Sequence, residues 1–340
     1  FSGLVRTDIF IVDESRNASC AIEMMDRGEW IIPYYNGGYR FDKPPLHYYF
    51  MRLGYYLFGK TSLGARFFSA IFGLLTLWIV WVYSKRNIGV DAALWSVIAL
   101  SSSIHFLLEF HLAVPDPYLI FFFTLALFSF YDFLHHGRIL EWFLIYISLA
   151  MGVLSKGPVA LLLPGFIFLV FILFQKRQKW ELIQSLNIPL GALIFVVLAL
   201  PWYLLVWKQT QGEWLQAFIF DHNINRFASG KEGHSGSFFL VPMMTLLGML
   251  PFSLLIFPGL RKAIGFERDS LSFYCTLAFA SILIFFGLSG TKLPNYPMPA
   301  YPMMAVVAGI FVARNLNPGH WFYVVNIFIG MSLTVGMYFV

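Results

Sequence analysis

Two short charged stretches near the start of the chain contain residue types suited to acid–base chemistry and anion binding. They are Asp13-Glu14-Ser15-Arg16 and Phe41-Asp42-Lys43-Pro44-Pro45. A carboxylate such as Asp13 can act as a general base for a hydroxyl group. Lys43 can bind a phosphate as a point charge, and the following prolines restrict its backbone. Both stretches also have ordinary structural interpretations: Asp13 as a helix N-cap, and Lys43 as a lysine at a membrane interface.

The chain that must position these residues is strongly apolar. Of its 340 residues, 59% are hydrophobic and 12% are charged, whereas soluble domains carry about 25% charged residues. The continuous apolar runs predict membrane-spanning helices, because barrel strands would alternate polar and apolar residues in short segments. We therefore expect an all-α polytopic membrane protein. The net charge of +5 does not indicate nucleic-acid binding, since the basic residues lie in short loops between apolar runs.

The apolar runs predict about ten spans in a transmembrane helix domain of residues 63–340. Their bounds are 63–84, 92–109, 117–134, 139–154, 158–174, 188–207, 238–258, 271–288, 298–313 and 320–340. This domain also contains one long polar connection, 208–237, which we expect on the outer face.

Residues 1–62 precede these spans and are predicted to form an outer-face catalytic loop with interfacial helices. Apolar residues recur at helical spacing from Glu14 to Gly28, with charged residues on the other faces. Leu46 to Phe58 is predicted to be a second interfacial helix. Residues 29–45 lie between the two and show no period, so we predict a loop there.

Basic residues mark every second connection between the predicted spans. They are Lys85 and Arg86, Arg138, Lys176 to Lys179, Arg261 to Arg268, and Arg314. The positive-inside rule makes these connections cytoplasmic. Residues 1–62 and the other polar motifs then share the outer face. The outer loops nevertheless contain several basic residues, which indicates an anionic ligand.

Four further motifs fall in the predicted outer loops: Glu109 to Pro117, Ser155-Lys156-Gly157-Pro158, Asp221 to Phe227, and Thr291 to Tyr296. Asp116 is either a second carboxylate that orients an acceptor or a helix N-cap. Lys156 is either an anion contact or an ordinary turn residue. Arg226 is suited to bidentate binding of an oxyanion. Together with Lys43 and Lys292 it could neutralise a lipid phosphate.

Asp42 and His222 offer a possible divalent metal site, because carboxylate and imidazole are common ligands of zinc and related ions. A lone histidine is more often a hydrogen-bonded structural residue. Asp42 could equally be the ion-pair partner of Lys43, so both interpretations remain open.

The ordered set of motifs resembles a known family. It comprises Asp13-Glu14-Ser15-Arg16, Gly28-Glu29-Trp30-Ile31-Ile32-Pro33, Asn36-Gly37, Phe41-Asp42-Lys43-Pro44-Pro45, Pro115-Asp116, Ser155-Lys156-Gly157-Pro158, Pro201-Trp202-Tyr203, Asp221-His222-Asn223, Arg226-Phe227 and Thr291-Lys292-Leu293-Pro294. It looks like the bacterial aminoarabinose transferase and protein O-mannosyltransferase superfamily, the membrane glycosyltransferases of the GT-C fold. The resemblance covers nearly the whole chain. It implies one more membrane span before Asp13, outside this sequence.

The resemblance implies inverting transfer of an aminoarabinose- or hexose-like sugar from a polyprenyl-phosphate donor. The implied acceptor is a lipid A-type glycolipid, a glycan or a protein, at the periplasmic face of the bacterial inner membrane. Implied catalytic residues are Asp13 and Asp116, and candidate substrate contacts are Glu14, Arg16, Lys43, Lys156, Arg226, Lys292 and Tyr296. In the aminoarabinose branch a metal such as Zn²⁺ or Mg²⁺ would use Asp42 and His222, although that branch usually has Glu at the first position. No nucleotide is implied.

Two other functional classes fit an apolar chain of this kind. A transporter or flippase of a lipid-linked anionic glycan predicts polar residues inside broken spans near the membrane midplane, whereas the charges here cluster at the outer ends of the spans. A non-catalytic scaffold gives no reason for acids and bases to converge on one face.

Overall fold

The computed structural model describes residues 4, 8, 9, 11–176, 178–228, 236–257, 267 and 270–315. Within them the protein is almost entirely helical. The helices are α1 (Val12–Asp26), α2 (Leu46–Phe58), α3 (Ser62–Ile88), α4 (Val90–Ser101), α5 (Ile104–Glu109), α6 (Asp116–His136), α7 (Ile139–Lys156), α8 (Val159–Phe174), α9 (Lys179–Ser185), α10 (Ile188–Gln209), α11 (Glu213–Gln216), α12 (Asn225–Ala228), α13 (Leu240–Gly248), α14 (Leu271–Leu288) and α15 (Tyr301–Asn315). A π-helical segment (Ala217–Ile224) precedes α12, and a 3₁₀ turn (Met298–Ala300) precedes α15.

Five helical segments of the described chain are long and apolar enough to cross a membrane. They are Ser62–Ile88, Asp116–His136, Ile139–Lys156, Lys179–Gln209 and Leu271–Leu288. Helices α4 and α8 are apolar but shorter. The helical membrane fold is confirmed, but the prediction of about ten spans is not. The predicted span 320–340 lies outside the described residues.

The predicted span 92–109 is two helices rather than one. α4 ends at Ser101 and α5 begins at Ile104. The hydroxyls of Ser102 and Ser103 donate to main-chain carbonyls one turn back in α4, at 2.6 and 2.8 Å. Such side-chain bonds compete with a continuing helix. The break redirects the chain, and α5 delivers Glu109 to a buried position.

Helix α6 lies at the centre of the bundle. It is apolar on almost every face, as expected of a helix that other helices surround, and α3, α7 and α8 pack against it. Phe130 of α6 stacks on Phe168 of α8 with ring centroids 3.9 Å apart. The helix ends at Gly137, whose positive φ of 63° suits glycine. α6 therefore places one carboxylate, Asp116, at its first residue and another, Asp132, in its last turn.

A buried ion pair fixes α1 to the bundle. Arg66 of α3 donates to both carboxylate oxygens of Glu14, at 2.6 and 2.8 Å. The main-chain N–H of Ala113 also donates to Glu14, at 2.9 Å. The helix begins at Val12 with Ile11 as its N-cap, so Asp13 lies in the first turn and is not the cap.

The predicted loop 29–45 contains a short antiparallel hairpin, β1 (Tyr34–Tyr35) and β2 (Gly38–Tyr39). Its turn is Asn36-Gly37, with φ of 52° and 80°, a pair of residues that favours this kind of turn. The Glu23 carboxylate of α1 accepts hydrogen bonds from both turn N–H groups, at 2.6 and 3.0 Å. The hairpin is therefore anchored to α1, and the chain leaves it directly into the charged segment that contains Asp42 and Lys43.

Candidate active site

The best-defined charge pair of the site joins α6 to α7. The Lys156 ammonium lies 2.5 Å from a carboxylate oxygen of Asp116. Asp116 is only 2% exposed, so its charge depends on this partner. Lys156 also lies 5.4 Å from the ring centroid of Tyr296, close enough for a cation–π contact. Three predicted site residues that are far apart in sequence thus meet at one point.

The charges of both members of this pair act on Lys43. It is half-buried in the segment between the hairpin and α2. Burial lowers the pKa of the Lys43 ammonium, the nearby Lys156 lowers it further, and the Asp42, Asp13 and Asp116 carboxylates oppose this effect. An anionic ligand would favour the charged form, as expected of a lysine that binds phosphate.

Asp13 is the exposed carboxylate of the group. Its charge acts on both Lys43 and Glu109, as does the charge of Asp116. The two predicted catalytic acids therefore border the same site. They differ in accessibility, because Asp116 is buried in an ion pair whereas Asp13 faces solvent.

Glu109 also belongs to the site, although sequence analysis only placed it in an outer loop. It is 6% exposed, and its carboxylate lies 3.8 Å from Nε2 of His105. The Nδ1 atom of His105 lies 3.1 Å from the Tyr301 hydroxyl. His105 and Tyr301 were assigned to apolar spans, so their contact with the site is a property of the folded chain.

The segment 217–228 packs on the turn that contains Lys156. A Cβ atom at Gly157 would lie 2.5 Å from the Phe218 ring, so glycine permits this close approach. At the other end of the segment, the Gly290 N–H donates to the Phe227 carbonyl at 2.6 Å. The preceding residue, Arg226, has a buried Nε with no hydrogen-bond partner in the described structure.

Lys292 is less ready to bind a substrate phosphate than the sequence predicts. Its ammonium donates to the Ser289 carbonyl at 2.6 Å, and its side chain is buried. Binding an anion would require Lys292 to release or share this hydrogen bond.

Comparisons with known proteins agree with this architecture. Residues 42–207 match the family described as dolichyl-phosphate-mannose-protein mannosyltransferase. An uncharacterized protein of Aquifex aeolicus (strain VF5) is 30% identical over 329 residues, which cover 96% of this chain and 73% of the relative. The undecaprenyl phosphate-alpha-4-amino-4-deoxy-L-arabinose arabinosyl transferase 1 of Pseudomonas fluorescens is 29% identical, over 92% of this chain and 57% of its own length.

A solved structure shows the same fold. The crystal structure of ArnT from Cupriavidus metallidurans bound to undecaprenyl phosphate superimposes with a TM-score of 0.89 and 28% sequence identity. The alignment covers 99% of this chain and 61% of that one. The chain belongs to the aminoarabinose transferase and protein O-mannosyltransferase superfamily of GT-C glycosyltransferases. It spans about three fifths of the length of the named relatives.

Two predicted substrate contacts of this GT-C chain lie differently from the residues above. Glu14 is fully buried, and Arg66 and the Ala113 N–H occupy its carboxylate. We therefore correct its assignment from substrate contact to structural ion pair. Arg16 lies exposed on α1, and its role as a substrate contact stays a prediction.

The metal that the resemblance implies does not fit the side chains as they are arranged. Arg40 donates to both carboxylate oxygens of Asp42, at 2.5 and 3.0 Å. Burial alone would raise the pKa of Asp42, but the Arg40 hydrogen bonds and charge lower it below the usual range, helped by Lys43 and His222. The described residues include no group of three or more His, Cys, Asp and Glu side chains that could hold a metal. Metal binding stays a prediction, and we assign no step to a metal.

Proposed function

We propose that this protein is an inverting glycosyltransferase that uses a polyprenyl-phosphate sugar. It would act at the outer, periplasmic face of the bacterial inner membrane. The observation that carries the proposal is the Asp116–Lys156 pair at the ends of two apolar helices, together with the action of the Asp13, Asp116 and Lys156 charges on Lys43. The named relatives support it, because their names specify an undecaprenyl phosphate-linked sugar or the bound lipid phosphate.

The donor phosphate would bind Lys43 and Arg226. Lys43 gains charge stabilisation from a phosphate. The Nε of Arg226, which has no partner within the described residues, gains a hydrogen-bond acceptor. Lys292 would join them only after leaving the Ser289 carbonyl. The polyprenyl tail would lie along the apolar surfaces of the spanning helices. Lateral entry from the membrane is therefore expected.

Asp13 would serve the acceptor, since it is the accessible carboxylate of the site. An acceptor hydroxyl would lose its proton to Asp13 as its oxygen attacks the anomeric carbon from the side opposite the phosphate. The bond from the anomeric carbon to the phosphate oxygen would break, and the polyprenyl phosphate would leave with its charge balanced by the basic residues. This is electrostatic stabilisation of a developing charge. An acceptor phosphate would need no base, and Asp13 would then only position it.

The Asp116–Lys156 pair would form the fixed wall of the site. Lys156 compensates Asp116 at 2.5 Å and also contacts the Tyr296 ring. Because both charges are already paired, they contribute orientation rather than net charge. Asp116 would orient the acceptor, and Lys156 would hold Asp116 in the position that this requires.

The decisive experiment is transfer by the purified full-length protein in liposomes. Undecaprenyl phosphate-linked aminoarabinose and mannose serve as labelled donors, and native lipid extract serves as acceptor. We expect release of undecaprenyl phosphate together with a glycosylated product that mass spectrometry identifies. Movement of intact donor across the bilayer without cleavage would instead establish a flippase. Failure to cleave either donor would contradict the proposal for these sugars.

A further inference from the structure

Among the described residues, Glu109 is a site carboxyl without a hydrogen-bond partner. It is 94% buried, as its 6% exposure implies. The Nε2 atom of His105 lies 3.8 Å from its carboxylate, which is beyond hydrogen-bond distance. Within the described chain its carboxylate accepts no hydrogen bond. Buried polar groups are usually paired, so an unpaired carboxyl at a ligand site needs an explanation.

The neighbours of Glu109 are already engaged elsewhere. Lys156 is paired with Asp116 at 2.5 Å, and His105 contacts the Tyr301 hydroxyl at 3.1 Å. Burial is the main reason that the pKa of Glu109 lies well above its usual value, and the Asp116 charge raises this pKa further. A carboxyl that retains its proton can both donate and accept a hydrogen bond. Glu109 thus has unused hydrogen-bonding capacity within the described residues, and the charges of Asp116 and Asp13 both act on it.

The arrangement of charges indicates what this group binds. A phosphate is unsuitable because Asp13 and Asp116 add negative charge beside Glu109. The same two acids also act on Lys43, the proposed phosphate ligand. Lys43 and Glu109 therefore share three charged neighbours, Asp13, Asp116 and Lys156, and a sugar attached to a phosphate at Lys43 would lie among them.

We propose that Glu109 binds a hydroxyl or ammonium substituent of the transferred sugar. The inference rests on the proposed function, because it requires a donor whose phosphate lies at Lys43. It adds a specificity-determining contact on the sugar to the phosphate contacts already described.

Binding of three lipids separates a sugar contact from a structural role. The probes are bare undecaprenyl phosphate, undecaprenyl phosphate-linked 4-amino-4-deoxy-L-arabinose, and undecaprenyl phosphate-linked mannose. The full-length protein is compared with Glu109→Ala and Glu109→Gln, and with Glu181→Gln as a control. Glu181 is an exposed carboxylate of α9, so its loss should leave all three affinities unchanged.

The measured quantity is the ratio of affinities for the sugar-bearing lipid and the bare lipid. We expect Glu109→Ala to lower this ratio about 10- to 100-fold, the usual effect of losing a hydrogen bond to a charged or buried group. Affinity for the bare lipid should not change. Glutamine donates and accepts hydrogen bonds as a protonated carboxyl does, so Glu109→Gln should spare a hydroxyl contact. An ammonium group would favour the ionised form of Glu109, which glutamine cannot adopt, so Glu109→Gln should impair an ammonium contact. Comparing the aminoarabinose donor with the mannose donor therefore distinguishes an ammonium contact from a hydroxyl contact.

Several outcomes would overturn the inference. One is a parallel loss of affinity for the bare and sugar-bearing lipids, which indicates a structural role. Another is an unchanged ratio with a raised KM for the acceptor, which would move Glu109 to the acceptor side. If the wild-type protein binds the bare lipid as tightly as either sugar-bearing lipid, this inference alone is refuted. Wild-type protein that binds none of the lipids would instead refute the proposed function.

Discussion

Helix α6 has a buried carboxylate at each end, and the two have different surroundings. At its first residue, Asp116 pairs with Lys156, and its charge acts on Glu109 and on the half-buried Lys43. In its last turn, Asp132 belongs to a closed network. Both acids are almost completely buried, so burial alone does not distinguish a structural acid from a functional one.

The network at Asp132 satisfies its own charges. Arg86 bridges Asp132 and Glu141, and Asn87 donates to Asp132 at 2.6 Å. Glu141 also accepts from the Tyr83 hydroxyl. Three helices, α3, α6 and α7, contribute these residues. We call this set, Tyr83, Arg86, Asn87, Asp132 and Glu141, the closed network.

The two ends of α6 differ in whether their polar side chains have hydrogen-bond partners within the described residues. In the closed network, each carboxylate oxygen of Asp132 and Glu141 accepts a hydrogen bond from another side chain. Near the other end of α6, the Glu109 carboxyl lacks a hydrogen-bond partner within the described residues. The Nε of Arg226, another proposed site residue, also lacks one there. Unmet hydrogen bonds in a buried site are costly, and a substrate can remove that cost. This contrast predicts which substitutions reduce transfer and which reduce stability.

The largest effect is expected for Asp13→Asn. The change removes the proposed base but keeps the size of the side chain, and Asp13 is exposed. Turnover should fall about 10²- to 10⁴-fold, the usual contribution of a general base, with donor affinity and thermal stability unchanged. The initial rate of undecaprenyl phosphate release measures this turnover. Asp26→Asn, an exposed acid on the same helix that pairs with Lys60, is the matched control. Equal rates in the wild type and Asp13→Asn would exclude Asp13 as the base.

Lys156→Met should reduce both sugar transfer and protein stability. It leaves Asp116 buried without its cation, and breaking a buried pair costs about 3–5 kcal/mol. A denaturant titration in detergent micelles measures the free energy of unfolding. The double variant Asp116→Asn, Lys156→Met removes both charges and should recover most of that stability.

Transfer should remain defective in the double variant, because the wall of the site is still altered. Recovery of both stability and transfer would show that the Asp116–Lys156 pair has only a structural role. The comparison between the two ends of α6 would then fail.

Arg86→Met tests the closed network alone. The change leaves two buried acids without their shared cation and should cost about 3 kcal/mol of unfolding free energy. Donor affinity and turnover per folded molecule should remain those of the wild type. Lys85→Met is the control, because Lys85 is exposed and lies 5.7 Å from the Trp81 ring. A selective loss of donor binding in Arg86→Met would contradict the division into a structural and a functional end.

Sequence reasoning singled out the candidate site residues because their charges interrupt an apolar chain. Lys43, Lys156 and Tyr296 stand beside proline or glycine in predicted outer loops, and each contributes to the folded site. The loop charges predicted convergence on one face without any knowledge of helix packing. The spans were less predictable, because a break such as the one at Ser102-Ser103 arises from local hydrogen bonds that hydropathy does not detect.

The missed residues are those whose roles depend on long-range contacts. His105 and Tyr301 lie 196 positions apart and meet only after α15 packs near α5. Glu14 resembled a site residue because it follows Asp13, but helical geometry directs it toward Arg66 of α3. The sequence contained one indication that Asp42 forms an ion pair, because Arg40 lies two residues before it. That pair was recognisable as an ion pair, whereas the sequence alone left Asp42 as either a metal ligand or a partner of Lys43.

The smallest effect expected is a pH dependence of donor binding. Burial holds the Lys43 pKa below its ordinary value of 10.5, so the empty site loses this charge at lower pH than a free lysine does. Phosphate binding favours the ammonium form. Affinity for undecaprenyl phosphate should therefore fall as pH rises through the lowered pKa, by at most tenfold per pH unit.

A titration of affinity from about pH 8 upward measures this decline, since the lipid phosphate is already fully ionised there. The matched variant is Lys43→Arg, whose guanidinium stays charged over the whole range. Its affinity should be flat where the wild type declines. A decline of equal size in Lys43→Arg would assign the titration to another group, and the open end of α6 would then bind phosphate without relying on the charge of Lys43.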